Sequence, residues 1–327
     1  MLSGANLFIL RNSQGMTTKL MNYGATLVSL KITTSSGEEI ELTLGFDTLE
    51  EYLAHPFYFG CTVGRVANRI AAGSFSYQNK RYQLNCNENA FSHLHGGAKS
   101  FDKVFWQGRQ YQEKNGSGVV FSYLSKDGEE NYPGNLLVEV NYFLSDENTL
   151  KITYTAETDQ ATPVNLTNHT YWNLAGSGNI LQHEMQVFSD EYLETNKYHI
   201  PTGEIKSVAG TAFDFRTRET IGKRIEEAGG YDNFYVLVNT NRLAARVTDP
   251  VSQRTLETYT TQPGLQFYSG NYLADYAIAE GKRTERWGGF CLETQGFPDA
   301  VNHENFPSII LQPEDTYHHE TIYKIKI

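Results

Sequence analysis

Apolar and polar residues alternate with a period of two through much of the chain. In Leu150-Lys151-Ile152-Thr153-Tyr154-Thr155-Ala156 every second side chain is apolar, and the closing segment Thr321-Ile322-Tyr323-Lys324-Ile325-Lys326-Ile327 behaves alike. So do Leu137-Val138-Glu139-Val140-Asn141-Tyr142 and Phe75-Ser76-Tyr77 running on through Tyr82-Gln83-Leu84. Successive side chains of a strand point to opposite faces, so this pattern predicts half-buried strands. Turn pairs separate such runs: Ser36-Gly37, Asn115-Gly116, Asp127-Gly128, Pro133-Gly134 and Pro263-Gly264. Helical candidates are few: Thr48 to Leu53, and Glu219 to Ala228 with Ile221 and Ile225 four apart. Many short strands joined by close turns predict an all-β fold, a large β-sandwich or barrel. No linker, low-complexity tract or internal repeat divides the chain, which is expected to form a single domain over residues 1–327.

Composition narrows the function classes. Hydrophobic residues make up 39% of the 327, enough for a full core. The net charge of -11 opposes a phosphate backbone, so no nucleic-acid partner is expected. No apolar run spans a bilayer, and Met1 to Leu10 lacks a basic-then-apolar signal, so a soluble, cytoplasmic protein is expected. Cys61, Cys86 and Cys291 have neither disulfide-framework nor zinc-knuckle spacing. The 21 Tyr and 18 Phe favour strands and also stack on the apolar faces of sugars.

A site that moves protons needs a donor, an acceptor and fixed groups to hold the substrate. His169 lies in Pro163-Val164-Asn165-Leu166-Thr167-Asn168-His169-Thr170-Tyr171-Trp172, where amides on both faces suggest a hydrogen-bonding wall. Glu293, inside Phe290-Cys291-Leu292-Glu293-Thr294-Gln295, is an acid in an apolar strand: either a tuned base or, sharing a face with Cys291, an exposed edge residue. His93 and His95, two apart before Gly96-Gly97, could ligate a metal or line a pocket, but no third ligand is well spaced nearby. Arg65 and Arg69 could hold hydroxyls or form surface ion pairs. Asp232 follows Gly229-Gly230-Tyr231, and Gln266 alternates with Tyr268 after Pro263-Gly264. Gly176-Ser177-Gly178 lacks a third glycine, and there is no P-loop or Gly-x-Ser-x-Gly elbow, so no nucleotide cofactor is expected.

These segments together resemble the aldose 1-epimerase family. The matching elements include Asn22-Tyr23-Gly24-Ala25-Thr26-Leu27, Gly64-Arg65-Val66-Ala67-Asn68-Arg69-Ile70, Leu94-His95-Gly96-Gly97, Thr162 to His169, Phe213-Asp214-Phe215-Arg216 and Leu292-Glu293-Thr294-Gln295. The resemblance implies a β-sandwich of the galactose mutarotase-like (supersandwich) type with an open cleft. It implies an isomerase that exchanges the α and β anomers of free hexoses such as galactose and glucose, without cofactor or metal. By position, Glu293 matches the general base and His169 the general acid. His95, Asn68, Arg69, Asp232 and Gln266 match groups that hold the sugar, His95 also serving catalysis. On these roles the acidic limb of the kcat profile follows Glu293 and the basic limb His169. Asn233 after Asp232, where a histidine is usual, and Trp287, where a tyrosine is usual, depart from the family pattern. A phosphosugar epimerase of related fold, which would need additional Arg or Lys in the cleft, and a non-catalytic sugar-binding module are the alternatives. Monomer and homodimer both stay open.

Overall fold

The most regular alternation becomes the middle of a nine-stranded antiparallel sheet. The structure, a computed structural model, describes residues 5–55, 57–237 and 243–327, so the first four residues of the N-terminal segment lie outside it. The strands of this sheet are ordered Gln107–Glu113, Gly116–Ser125, Leu136–Ser145, Thr149–Thr158, Tyr317–Lys326, Thr255–Thr260, Leu243–Thr248, Glu184–Val187 and Glu219–Thr220. A six-stranded antiparallel sheet, ordered Tyr171–Trp172, Phe290–Gln295, Gly264–Tyr268, Asp232–Val236, Glu191–Thr195 and Pro201–Ser207, packs against it. A four-stranded sheet from Leu7–Arg11 to Glu39–Glu41 adds to the same core.

Alternation decides which side chains form that core. Val138, Val140, Tyr142, Ile152 and Tyr154 of the large sheet share one buried cluster with Leu265, Phe267, Phe290 and Leu292 of the smaller one. The Tyr323 hydroxyl donates to the Leu292 carbonyl at 3.1 Å, and the Thr294 and Thr321 hydroxyls bond to each other, so the layers touch. Each fully buried large apolar side chain contributes roughly 1.5–3 kcal/mol, which makes this shared core the main cement between the sheets. Residues at the intervening positions of the six-stranded sheet must then face the other way. They are Cys291, Glu293 and Gln295, Gln266 and Tyr268, and Asp232 and Phe234, and the register sets Gln266 beside Glu293 and Asp232 beside Tyr268.

Three local expectations change. The run from Phe75 to Leu84 folds back as a hairpin, Ser74–Tyr77 with Lys80–Gln83, because Gln78 and Asn79 both take positive φ. Glu219 to Ala228 is not an α-helix: Glu219–Thr220 pairs with the edge of the large sheet, and only Ile221–Arg224 coils, as a 3-10 turn. Gly264 begins a strand instead of closing a turn, and a Cβ there would stand 1.8 Å from the Phe234 ring. The other predicted helix forms over Leu49–Ala54, capped by Thr48 and Glu51 in a reciprocal capping box. Among the described residues no helix is long and apolar enough to cross a membrane.

Candidate active site

Glu293 sits on an interior strand, flanked by Tyr171–Trp172 and Gly264–Tyr268, with every residue of Phe290–Gln295 buried. It is therefore not an edge residue. Its Oε1 lies 3.5 Å from His169 Nε2, while Oε2 has no hydrogen-bond partner. The backbone around His169 is pinned to the neighbouring segment: its N–H donates to the Cys61 carbonyl and its carbonyl accepts from Gly60, both at 3.0 Å. The amides expected to line a wall act here as fasteners. Asn168 donates to the Gly60 carbonyl at 2.8 Å, and the Asn165 side chain accepts from Gly296 N–H at 2.7 Å. On the far side of the ring, His169 Nδ1 meets Cys291 Sγ at 3.6 Å.

Burial inverts the proton order of the pair. Loss of solvent raises the Glu293 carboxyl well above its usual range, a rise to which nearby Asp232 adds and which Arg69 opposes. The same loss of solvent pushes His169 down to about 4. The pair thus carries no proton at high pH, one at intermediate pH and two only below about 4. Only the singly protonated pair presents one donor and one acceptor at once. This is the reverse of the order given by ordinary side-chain values, from which the expected limbs were drawn.

His95 is held beside them by Asn68. The Asn68 N–H donates to His95 Nδ1 at 3.1 Å, and His95 N–H returns a bond to the Asn68 carbonyl at 3.0 Å. Both residues have positive φ, 62° and 51°, a backbone cost typical of over-determined sites. Gly96 is required here because a Cβ would stand 1.8 Å from the Gly64 carbonyl oxygen. Since Nδ1 accepts, the proton of neutral His95 resides on Nε2, and burial, with His169 and Arg69 adding, keeps the ring neutral. His95, His169 and Glu293 offer ligand atoms within 4.8 Å of one another. A metal would need His95 Nε2 bare, so this trio suits hydrogen bonding better than ligation. The suggested pairing of His93 with His95 does not occur. His93 turns to Tyr132, whose hydroxyl bonds its Nε2 at 2.7 Å, while its Nδ1 bonds the Asn85 carbonyl at 2.7 Å.

The two arginines separate by environment. Arg65 is buried and donates to six acceptors, among them the Pro133, Gly134, Ser125 and Lys126 carbonyls. It fastens loops and reaches no site residue. Arg69 is gripped by Glu88 through Nε and Nη2 at 2.7 and 2.8 Å, which leaves Nη1 near Asp232 Oδ2 at 3.7 Å. Asp232 Oδ1 accepts from Gln266 Nε2 at 2.6 Å, and His199 Nδ1 stands 3.6 Å from Oδ2. A hydroxyl can bridge the gap between Nη1 and Oδ2, donating to the carboxylate and accepting from the guanidinium. Arg65→Met is expected to lower stability by about 3 kcal/mol or more, by orphaning buried acceptors. Arg69→Met should also lower stability, because it leaves the partly buried Glu88 and Asp232 carboxylates without their cation. It should in addition raise KM roughly 10-fold or more, the scale of one charge-assisted hydrogen bond, where Arg65→Met should leave KM unchanged in the folded protein. Thermal melts and saturation kinetics on both variants check this contrast.

All seven residues named from the sequence therefore meet on one face of the six-stranded sheet. Sequence reasoning missed Glu88, in the featureless polar run Asn85 to Asn89; His199; and Tyr58, whose ring lies 4.8 Å from that of His95. Of these only Tyr58 carried a signal, being one of many aromatics. A cavity of about 680 Å3 lies elsewhere, against Leu7, Met21, Leu49 and Glu41. The Glu41 carboxylate there accepts from the Ser29 and Thr43 hydroxyls and the Leu30 and Thr43 amides, the set of a structural acceptor.

Comparison with known proteins agrees with this geometry. The profile of the aldose 1-epimerase family matches residues 6–324. Galactose mutarotase of Bos taurus is 46% identical over 94% of this chain and 90% of its own length. Aldose 1-epimerase of Escherichia coli K12 is 37% identical over 97% of this chain and 94% of its own. The solved structure of the GalM/aldose epimerase homologue from C. elegans superposes with a TM-score of 0.92 at 32% identity, covering 98% of this chain and 99% of that one. On sequence and fold alike, the chain belongs to the aldose 1-epimerase family.

Proposed function

We propose that the protein exchanges the α and β anomers of a free hexose such as galactose or glucose, with Glu293 as general base and His169 as general acid. The observation that carries this is the buried contact of Glu293 Oε1 and His169 Nε2 at 3.5 Å, with His95, Arg69, Asp232 and Gln266 grouped around it. The step starts once the single proton of the pair has passed from Glu293 Oε1 to His169 Nε2 across their 3.5 Å contact; Glu293 then takes the proton of the C1 hydroxyl as His169 gives one to the ring oxygen. The C1–O5 bond breaks and C1 becomes an aldehyde. After rotation about C1–C2, O5 attacks the other face of C1; His169 recovers the O5 proton and Glu293 returns its own to O1. One proton stays with the pair throughout, and no electron changes hands. Acid–base help of this kind is typically worth about 10²–10⁴-fold. Orientation by Asn68-supported His95 and by Arg69 adds to it.

Two features favour a free hexose enzyme over the alternatives. Arg69 is already engaged by Glu88 and faces Asp232, and a dianionic phosphate would meet carboxylates here. A sugar-binding wall alone has no use for an acid with one oxygen buried and unpartnered, which only costs stability. The core shared by all three larger sheets supports one domain over 1–327, and a cytoplasmic setting suits three free cysteines. Polarimetry on fresh α-galactose, α-glucose and glucose 6-phosphate tests the proposal. Either free sugar, or both, should equilibrate faster with enzyme, with no added cofactor and with a chelator present. Preference for the phosphate ester, or activity lost to chelator and restored by metal, would refute it.

A further inference from the structure

Beneath the Glu293–His169 contact lie polar groups that the protein does not satisfy. Gln295 is fully buried, and neither its amide nitrogen nor its oxygen has a hydrogen-bond partner. Thr167, also buried, has an unpartnered hydroxyl, and Oε2 of Glu293 is unpartnered too. Each such group opposes folding, because it gives up water without gaining a partner, and native folds leave few of them. Several along one seam call for an explanation.

Measured contacts bracket their positions. Tyr171 pairs with Cys291 and Trp172 with Phe290, antiparallel. Two residues along, His169 faces Glu293 at 3.5 Å. At the far end the Asn165 side chain clasps the Gly296 backbone, at 2.7 Å to its N–H and 3.2 Å to its carbonyl. Thr167 and Gln295 are the positions between these two contacts. Side chains two apart along extended chain share a face, so both lie on the face of His169 and Glu293.

We propose that Gln295 and Thr167 are positioning residues for Glu293, holding its inner carboxyl oxygen across one water in both of its protonation states. The inference rests on Glu293 being the proton carrier proposed above. A carboxylate only accepts hydrogen bonds, whereas a carboxylic acid also donates one. A partner that serves both forms must donate to the first and accept from the second without titrating itself. A primary amide and a hydroxyl do this; a cation would favour the anion alone, and a second carboxylate the acid alone. Held from behind, Glu293 keeps Oε1 aimed at His169 and the sugar as its proton comes and goes.

The test measures kcat and KM across pH for Gln295→Met, Thr167→Val and Thr167→Ser, with Glu293→Gln as reference. Methionine keeps the length of glutamine and cannot replace its hydrogen bonds. Gln295→Met and Thr167→Val should lose about 10-fold or more in kcat, the cost of a loosened reacting group. Their KM should stay within about twofold of wild type and their basic limb should move, since less would hold Glu293. Thr167→Ser, which keeps the hydroxyl, should restore the wild-type profile. If Gln295→Met does not fold, the valine and serine variants decide. Wild-type kcat with an unmoved basic limb in Thr167→Val and in any folded Gln295→Met, while Glu293→Gln is inactive, overturns this inference and leaves the base in place. An active Glu293→Gln overturns the base itself, and this inference with it.

Discussion

Glu293→Gln is expected to lower kcat by about 10²–10⁴-fold, the usual worth of a general base, with KM changed little. The amide keeps the shape of the side chain and a hydrogen bond to the sugar, but cannot take the C1 proton. The same substitution should make the protein more stable at neutral pH, and the sign follows from burial. Below the ordinary carboxyl range Glu293 is protonated both folded and unfolded, so it imposes no pH-dependent cost. As pH rises above that range the unfolded chain releases its proton while the buried side chain retains it. Each further pH unit costs the native state about 1.4 kcal/mol until the raised folded value is passed. Glutamine escapes that cost. Melting temperatures of the two proteins should converge near pH 4 and separate by a few degrees near pH 7, with the variant higher. Equal melting temperatures across that range would mean the carboxyl is not desolvated; wild-type turnover would mean the base lies elsewhere.

His169→Asn should likewise cut kcat by about 10²-fold or more with little change in KM, because its proton moves only in the transition state. His95→Asn should raise KM as well, since a hydrogen bond from Nε2 to the sugar is present in the ground state. The pH profiles separate the two further. Wild-type activity should persist down to about pH 5, because the pair takes a second proton only as His169 titrates near 4. The basic limb should follow Glu293, whose proton is lost last. His169→Asn should abolish the acidic limb in what activity remains, whereas His95→Asn should keep both limbs. If His95→Asn erases the acidic limb while His169→Asn keeps it with most of kcat, the two roles must be exchanged.

Glu293 and Arg69 show how far sequence reasoning reaches. An acid in an apolar strand announces either a function or an exposed edge, and strand order alone excludes the edge. Two arginines four residues apart look equivalent along the chain. One is spent on loop carbonyls and the other on Glu88, because the turn at Asn68 aims them differently. His93 and His95 look like a metal pair until positive φ at His95 rotates them onto different partners.

The all-β character, most strand positions and the family were legible in the chain, and the family resemblance named the seven residues that gather over the six-stranded sheet. Strand alternation follows from covalent geometry, which repeats every two residues whatever the surroundings, and the family motifs lie along the chain in order. That Glu293 is interior, that Glu88 braces Arg69, that burial raises the Glu293 carboxyl and lowers His169, and that Gln295 and Thr167 are buried without partners came from the tertiary structure. Those properties depend on desolvation and on contacts between residues far apart in the chain, such as Asn165 with Gly296, 131 positions away. Proton affinity is set by everything that surrounds a group in space, and chain order does not encode that sum locally.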